Sequence, residues 1–207
     1  GLALRTALAS SSAWPTSLGG TSVQIRDSSG VSKPALLSYA SPQQLNFAVP
    51  AGLANGPASV VIQPEGGAPI TTTVNVATVA PALFTLNAAG LAAALVLRIK
   101  ADGSQIYEPI YQVDAAGQVV AKPFALGPDT EKVYLLLFGT GIRKGSGARV
   151  TLGGADAQVL YAGPQGEFSG FDQVNVLVPR SLSGTGSVAL QLIVSGVSSA
   201  TSRVSIQ

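Results

Sequence analysis

Two stretches of the chain repeat one pattern, and this repeat constrains the fold more than any other feature. Residues 44–50 and residues 173–179 both alternate polar and apolar side chains, beginning at Gln44 and Gln173 and ending in Val-Pro. Alternation is the period of a β-strand with one buried face, and proline ends such a strand because it has no N–H for the ladder. The repeat predicts two related β-domains in tandem.

Other landmarks extend the repeat over most of the chain. Leu18 with its two following glycines is matched by Leu152 with its two, and each copy closes with two further predicted strands. A unit this long indicates duplicated domains, since solenoid repeats are far shorter. We therefore predict an all-β fold of two tandem Ig-like β-sandwich domains related by internal duplication, residues 1–80 and 81–207.

The two copies differ at their beginnings. In the second copy an apolar strand, residues 133–138, precedes Gly139, whereas the matching residue of the first copy, Gly1, stands at the start of the chain. We expect the first domain to lack its first strand, which either lies upstream or comes from another chain. Because the chain does not begin with Met, we also expect that an upstream part has been removed. The composition is poor in charge, so we expect that this part was a signal and that the protein is secreted.

Composition restricts the possible partners. Charged residues make up 11% of the chain, the formal net charge is +2, and only Arg143 and Lys144 are adjacent basic residues. Nucleic-acid binding requires a basic stripe, so we expect none. No apolar run approaches the roughly 20 residues of a membrane-spanning helix, so we expect no membrane insertion.

The absence of two residue types restricts the chemistry. The chain contains no His and no Cys. Ser-His-Asp triads, Cys nucleophiles, structural zinc sites and haem or iron–sulfur ligand sets all require one of them. We expect a protein that is not an enzyme and that has no cofactor, no catalytic residues and no dedicated metal site.

Several local patterns nevertheless deserve a structural test. The glycine-rich residues 139–145 resemble a phosphate loop, although a strand rather than a helix is predicted after them. Glu167 and Asp172 are two neighbouring carboxylates, as in glycosidases, but a turn role is favoured for Asp172. Oxygen ligands for Ca²⁺ are available in four further acids, for which solvated turns are favoured: Asp102, Asp114, Asp129 and Glu131.

Two hypotheses explain the Gln-x-Asn pairs of the repeated strands. Gln44 with Asn46, and Gln173 with Asn175, lie on one strand face by the two-residue period. They form either a polar face for a glycan or neighbouring module, or hydrogen bonds to adjacent loops inside the sandwich. Recurrence in both copies favours the second reading, since buried polar groups of a shared fold need partners.

A donor for the missing strand can be sought within the chain. Residues 91–100 are compatible with a helix through their alanines, but their alternation favours a strand. The N-terminal segment is the other candidate donor. The residues expected to take part in assembly are the apolar ones of the first segment: Leu91, Leu95, Leu97 and Ile99.

Six ordered motifs carry a resemblance over nearly the whole chain. They begin at Pro15, Ser41, Pro81, Leu137, Leu160 and Asp172 and read Pro-Thr-Ser-Leu-Gly-Gly, Ser-Pro-Gln-Gln-Leu-Asn-Phe, Pro-Ala-Leu-Phe, Leu-Phe-Gly-Thr-Gly, Leu-Tyr-Ala-Gly-Pro and Asp-Gln-Val-Asn. Together they resemble the uncharacterised Solibacter-type C-terminal domain family of secreted and surface proteins of acidobacteria. The resemblance implies secretion and Ig-like modules, and it implies no catalytic residues.

The sequence therefore predicts a non-catalytic extracellular structural protein. It would be a cell-surface or filament-forming β-sandwich subunit that self-associates by strand complementation between subunits. The alternative is a glycan-binding or adhesive module with a surface polysaccharide as its partner, in which Tyr107 or Tyr111 would contact the sugar. Aromatic residues are only 6% of the chain, which weighs against the alternative.

Overall fold

The computed structural model of the chain describes residues 1–10 and 13–207. Strands account for 52% of the structure and helix for 1%, which confirms the predicted all-β class and agrees with a sandwich fold. The chain divides into two compact units. Unit 1 comprises Gly1–Thr78 with Gly166–Gly170, and unit 2 comprises Val79–Gln165 with Phe171–Gln207.

Unit 1 contains two antiparallel sheets. One has the strand order β1-β5-β6, and the other has the order β2-β3-β7-β8, with β4 also paired to β3. The strands are β1 (Ala7–Leu8), β2 (Ser17–Leu18), β3 (Thr21–Arg26), β4 (Ser32–Pro34), β5 (Leu36–Ala40), β6 (Leu45–Ala48), β7 (Gly56–Pro64) and β8 (Ile70–Val76). Its buried apolar cluster consists of Val23, Ile25, Ala35, Leu37, Ala58 and Val60.

Unit 2 is larger and has one continuous strand path. Its strands are β9 (Ala82–Leu83), β10 (Ala94–Ile99), β11 (Gln105–Pro109), β12 (Tyr111–Val113), β13 (Val119–Ala121), β14 (Lys132–Thr140), β15 (Arg149–Leu152), β16 (Ala155–Pro164), β17 (Asp172–Leu177), β18 (Gly186–Val194), β19 (Val197–Ser198) and β20 (Ser202–Ile206). The path runs β11-β10-β14-β17-β16-β15-β18-β19, with β20 on β18, β9 on β14 and β12–β13 as a separate hairpin. A 3-10 helix, Arg180–Leu182, follows β17.

The path folds into two layers because β16 belongs to both. Residues 155–157 pair with β15, and residues 158–164 pair with β17. Strand β14 lies between β10 and β17 and is apolar on its inner face. Its inner residues Val133, Leu135 and Leu137 belong to a cluster of buried side chains that extends through unit 2.

Strand pairing in the two units follows the same order. In unit 1, β7 lies between β3 and β8, and in unit 2, β18 lies between β15 and β20. The pairs β5–β6 and β16–β17 even share a β-bulge, after which Tyr39 lies opposite Asn46 and Tyr161 lies opposite Asn175. Residues at the same place in these paired strands are counterparts in the two units.

The pairing corrects one part of the predicted alignment. Leu18 ends β2 and precedes β3, whereas Leu152 ends β15, which is the counterpart of β3. The two Leu-Gly-Gly turns therefore occupy different places. They look alike because each forms a two-residue hairpin that needs positive φ at both central positions, which Gly19-Gly20 and Gly153-Gly154 provide.

Unit 2 contains a buried arginine on the inner face of its sheet. The Arg98 side chain donates Nε to Glu108 Oε1 at 2.7 Å, Nη1 to Glu131 Oε2 at 2.9 Å and Nη2 to the Ala125 carbonyl at 2.8 Å. Removing one member of a buried charged network leaves the others without a partner, which costs more than the network itself contributes. The same sheet carries an exposed pair, Arg149 with Asp156 at 3.0 Å, whose loss should cost little.

We expect Arg98→Ala to lower the free energy of unfolding of unit 2 by about 3 kcal/mol. The matched control Arg149→Ala should lower it by less than about 1 kcal/mol. Urea denaturation followed by circular dichroism measures both. Equal losses in the two variants would show that the buried network of Arg98 contributes no more to the stability of unit 2 than the exposed pair of Arg149 does.

Candidate assembly site

One side of unit 1 is open where the same side of unit 2 is closed. Strand β17 is paired on both edges, with β16 and with β14. Its counterpart β6 is paired with β5, and no other strand of the described chain lies along its second edge. A strand in the position that β14 takes in unit 2 would pair with this edge of β6.

The inner side chains of β6 show the consequence. Val49, just after β6, is 62% exposed, whereas its counterpart Val178 is 4% exposed. Leu45 and Phe47 are partly buried, although the corresponding side chains in β17 are fully buried. The apolar face of β6 thus lacks the cover that β14 gives to β17.

Strand β8 in the opposite sheet is uncovered as well. Val74 lies opposite Ala58 of β7, as Val204 lies opposite Val188 of β18, so each points into its sandwich. Yet Val74 is 42% exposed and Val204 is 1% exposed. A strand that leaves apolar residues on its inner face in solvent lacks an opposing layer.

In unit 2 the outer edge of β20, the counterpart of β8, is also paired. Phe124 bridges to Ile206 and Leu91 bridges to Arg203, so the outer edge of β20 is paired by two short segments. No strand pairs with the outer edge of β8 among residues 1–10 and 13–207. We call the outer edge of β6, the outer edge of β8 and the inner apolar residues of both strands the open side of unit 1.

Residues Gly166–Gly170, which belong to unit 1, come near one end of the open side. A Cβ atom added to Gly170 would lie 3.5 Å from the Cβ of Ala48. The segment forms no strand there. Gly170 therefore lies beside the end of β6.

A buried carboxylate fixes the loop that follows β6. Asp27 accepts hydrogen bonds from the backbone N–H of Ala54 at 2.7 Å, from the Ser29 hydroxyl at 2.7 Å and from the N–H groups of Ser29 and Val31. These bonds, the one from Ala54 first, stabilise the ionised form and lower the pKa of Asp27 from 3.8 to about 2. The carboxylate thus joins the β3–β4 turn to the loop between β6 and β7.

The side chains of each repeated Gln-x-Asn pair bind each other, which neither hypothesis predicted. Gln44 Nε2 donates to Asn46 Oδ1 at 2.8 Å, and Gln173 Nε2 donates to Asn175 Oδ1 at the same distance. Each pair bonds along its own strand rather than to adjacent loops. On the polar face of each strand, the Gln and Asn side chains therefore form a local hydrogen-bonded pair, which is present in both units.

The glycine-rich loop at residues 139–145 does surround an anion, but the anion is a side chain of the same unit. Asp172 accepts hydrogen bonds from the backbone N–H groups of Ile142, at 2.7 Å, and Arg143, and its second oxygen accepts from Arg143 Nε at 2.5 Å. The buried Asp172 carboxylate occupies the place where a phosphate would bind. Its turn role, which the sequence favoured, agrees with these contacts.

The four candidate calcium ligands lie in separate turns or ion pairs. Asp102 accepts from the N–H of Ser104, and Asp114 accepts from Ala116 and Gln118. Glu131 accepts from Arg98, and Asp129 is fully exposed. In the part of the chain that the structure describes, no three acidic side chains are grouped as metal ligands would be.

The residues expected to donate a strand lie inside unit 2. The segment 91–100 forms strand β10, as its alternation predicted, but β10 pairs with β11 on one edge and β14 on the other. Its backbone therefore has no free edge to donate. Leu91 is buried in the core, and the side chains on the outward face of β10 are Leu95, Leu97 and Ile99.

The N-terminal segment, the second candidate donor, is also engaged. Strand β1 pairs with β5, and the N–H of Leu2 donates to the Pro42 carbonyl at 2.9 Å. The repeat predicted a missing strand but did not identify the exposed residues Val49 and Val74. Comparing Val74 with its buried counterpart Val204 would have identified β8, but that comparison needs the strand pairing.

Comparison of the chain with models of protein families, with curated proteins and with solved structures gave no match. The described residues include no helix that is long and apolar enough to cross a membrane.

We expect Asp27→Asn to lower the melting temperature of unit 1 at neutral pH, because the hydrogen bonds at Asp27 favour its ionised form. The folded-state pKa is about 2 and the ordinary value is 3.8. The stabilisation is therefore fully present above about pH 4 and is lost as the pH falls towards 2. Calorimetric scans between pH 7 and pH 2 should show the difference between the original chain and the variant shrinking.

The control for this experiment is Asp156→Asn, since Asp156 lies on an exposed surface of unit 2. Its effect on unit 1 should be absent at every pH. A difference between Asp27→Asn and the original chain that stays constant down to pH 2 would contradict the assigned role of the carboxylate.

Proposed function

We propose that the chain is a non-catalytic structural subunit of an extracellular assembly, in which the open side of unit 1 accepts a β-strand from a neighbouring subunit. The observation that carries this proposal is the exposure of Val49 and Val74 where Val178 and Val204 are buried. Such exposure leaves part of the free energy of a complete sandwich unrealised until another strand binds.

The edges on the open side lack the usual protection against pairing. Natural edge strands carry charges or prolines or are covered, because an exposed edge is a template for another chain. Strands β6 and β8 contain no charged residue. By contrast β11, the edge strand of unit 2, carries Glu108 and Pro109. The difference supports unit 1 as the acceptor.

The proposed location and ancestry rest on the sequence. The low charge and the resemblance to Solibacter-type domains of secreted proteins support secretion to the cell surface or medium. The shared bulge at Tyr39 and Tyr161 and the shared strand order support an origin of both units by duplication.

A second candidate function is glycan binding, which one observation favours. Tyr107 is 58% exposed on the edge strand β11, and Tyr111 is exposed on β12. Exposed aromatic rings can stack on sugar rings. If this surface binds a polysaccharide, a glycan array should give a signal that Tyr107→Ala or Tyr111→Ala removes, and an array without signal from the original chain would contradict the idea.

The main proposal predicts association of the purified chain that increases with concentration. Light scattering after size-exclusion chromatography, with electron micrographs of the same fractions, should show oligomers or filaments. Val49→Lys and Val74→Lys should shift the population towards monomer, because each places an unpaired charge in the open side.

Matched controls use the same Val-to-Lys change at other exposed positions. Val31 lies in a turn of unit 1, and Val197 lies in β19 of unit 2. Val31→Lys and Val197→Lys should associate like the original chain. A chain that stays monomeric at all concentrations, or that is affected equally by all four variants, would contradict assembly through the open side.

A further inference from the structure

We infer that the open side of unit 1 binds an extended aliphatic peptide segment, antiparallel to β6, that directs three alternate side chains towards β8. The inference specifies the chemistry and register of the strand that the proposed function requires. It rests on the proposed function only for the source of that strand. The binding itself can be measured whether or not the chain forms an assembly.

The register follows from the way β14 pairs with β17. Leu137 lies opposite Val174 and Leu135 lies opposite Val176, and the N–H of Val178 donates to the Val133 carbonyl at 2.9 Å. The counterparts of Val174, Val176 and Val178 in unit 1 are Leu45, Phe47 and Val49. A segment that binds in the same register therefore places its three inward residues beside those three side chains.

The inward residues must be large and aliphatic. In unit 2 these positions hold Val133, Leu135 and Leu137, all buried against the opposite sheet. Unit 1 has the smaller Ala58 where unit 2 has Val188, and Val74 remains partly in solvent. A segment with branched aliphatic residues fills this space, whereas small or polar residues leave it hydrated.

An inward charge on the segment is excluded. Strands β6, β7 and β8 contain no charged residue that could pair with it. The inner face of unit 2 tolerates Arg98 only because Glu108 and Glu131 bind its guanidinium group. Burying an unpaired charge costs more than the remaining contacts of a short strand provide.

The folded part of a second copy cannot supply this segment directly. Its two strands with the required aliphatic alternation, β10 and β14, are paired on both edges. The free edge of β11 presents Ile106 and Glu108 on its inner side, so it brings a charge where an aliphatic residue is needed. A second copy can therefore supply the segment only if it releases one of these strands from its own sheet, as in domain swapping.

The test uses a synthetic peptide with the sequence of residues 131–141, flanked by two lysines at each end for solubility. The control peptide carries Val133→Ser, Leu135→Ser and Leu137→Ser. We expect the first peptide to bind the intact chain with one-to-one stoichiometry in calorimetry and to protect backbone amides of β6 and β8 from hydrogen exchange. The control peptide should bind at least about tenfold more weakly.

Variants of the chain test the location. Val49→Lys and Val74→Lys should each weaken binding by about tenfold or more, and Val31→Lys should not change it. Because the two affected residues lie on different strands, local unfolding of one strand does not explain both results. Equal binding of the two peptides, no binding of either, or protection confined to unit 2 would overturn the inference.

The outcomes separate this inference from the proposed function. If the peptide binds as described but the chain never associates, the segment chemistry holds and the assembly role fails. If the chain associates, ignores the peptide and shows hydrogen-exchange protection at β11, the assembly role holds and copies pair through their edges instead. The second result would overturn the inference.

Discussion

Mutual burial of two sheet faces is the interaction on which both units depend. A sheet that is apolar on one face is stable when a second layer removes that face from water. In unit 2 the inner face of β14 is one such layer, and Val204 on the opposite sheet is almost completely buried. In unit 1 no described strand takes the place of β14, and Val74 stays in solvent. The free edge of β6 and the exposure of Val49 follow from this difference, whereas the free edge of β8 follows from the lack of segments like those at Leu91 and Phe124, which pair with β20 in unit 2.

Much of this architecture could be predicted from the sequence, because alternation and turn chemistry are local signals. The strand at 173–179 and the strand within residues 91–100 both followed from two-residue periodicity. The partner of each edge could not be predicted, because pairing joins residues far apart in the chain. For that reason residues 91–100 looked like a free donor although β10 lies between β11 and β14.

Similar local sequences also occupied different places in the two units. The glycines after Leu18 and Leu152 both allow positive φ in a tight turn, but the two turns belong to different hairpins. The sequence match therefore indicated the same turn geometry and not the same position in the fold. The loop at residues 139–145 had the composition of an anion site, but sequence alone could not show that Asp172 already occupies it. The predicted alignment of the two Leu-Gly-Gly turns was wrong, whereas the turn between strands favoured for residues 139–145 agrees with the structure.

The connection between β4 and β5 has a mechanical consequence. This short crossing at the buried residue Ala35 ties the two sheets of unit 1 together on the side away from β6 and β8. The loop between β6 and β7 is a second crossing between the same two sheets, and Asp27 holds it through the N–H of Ala54. The two connections therefore limit how far the sheets can separate, whether or not a further strand lies beside β6.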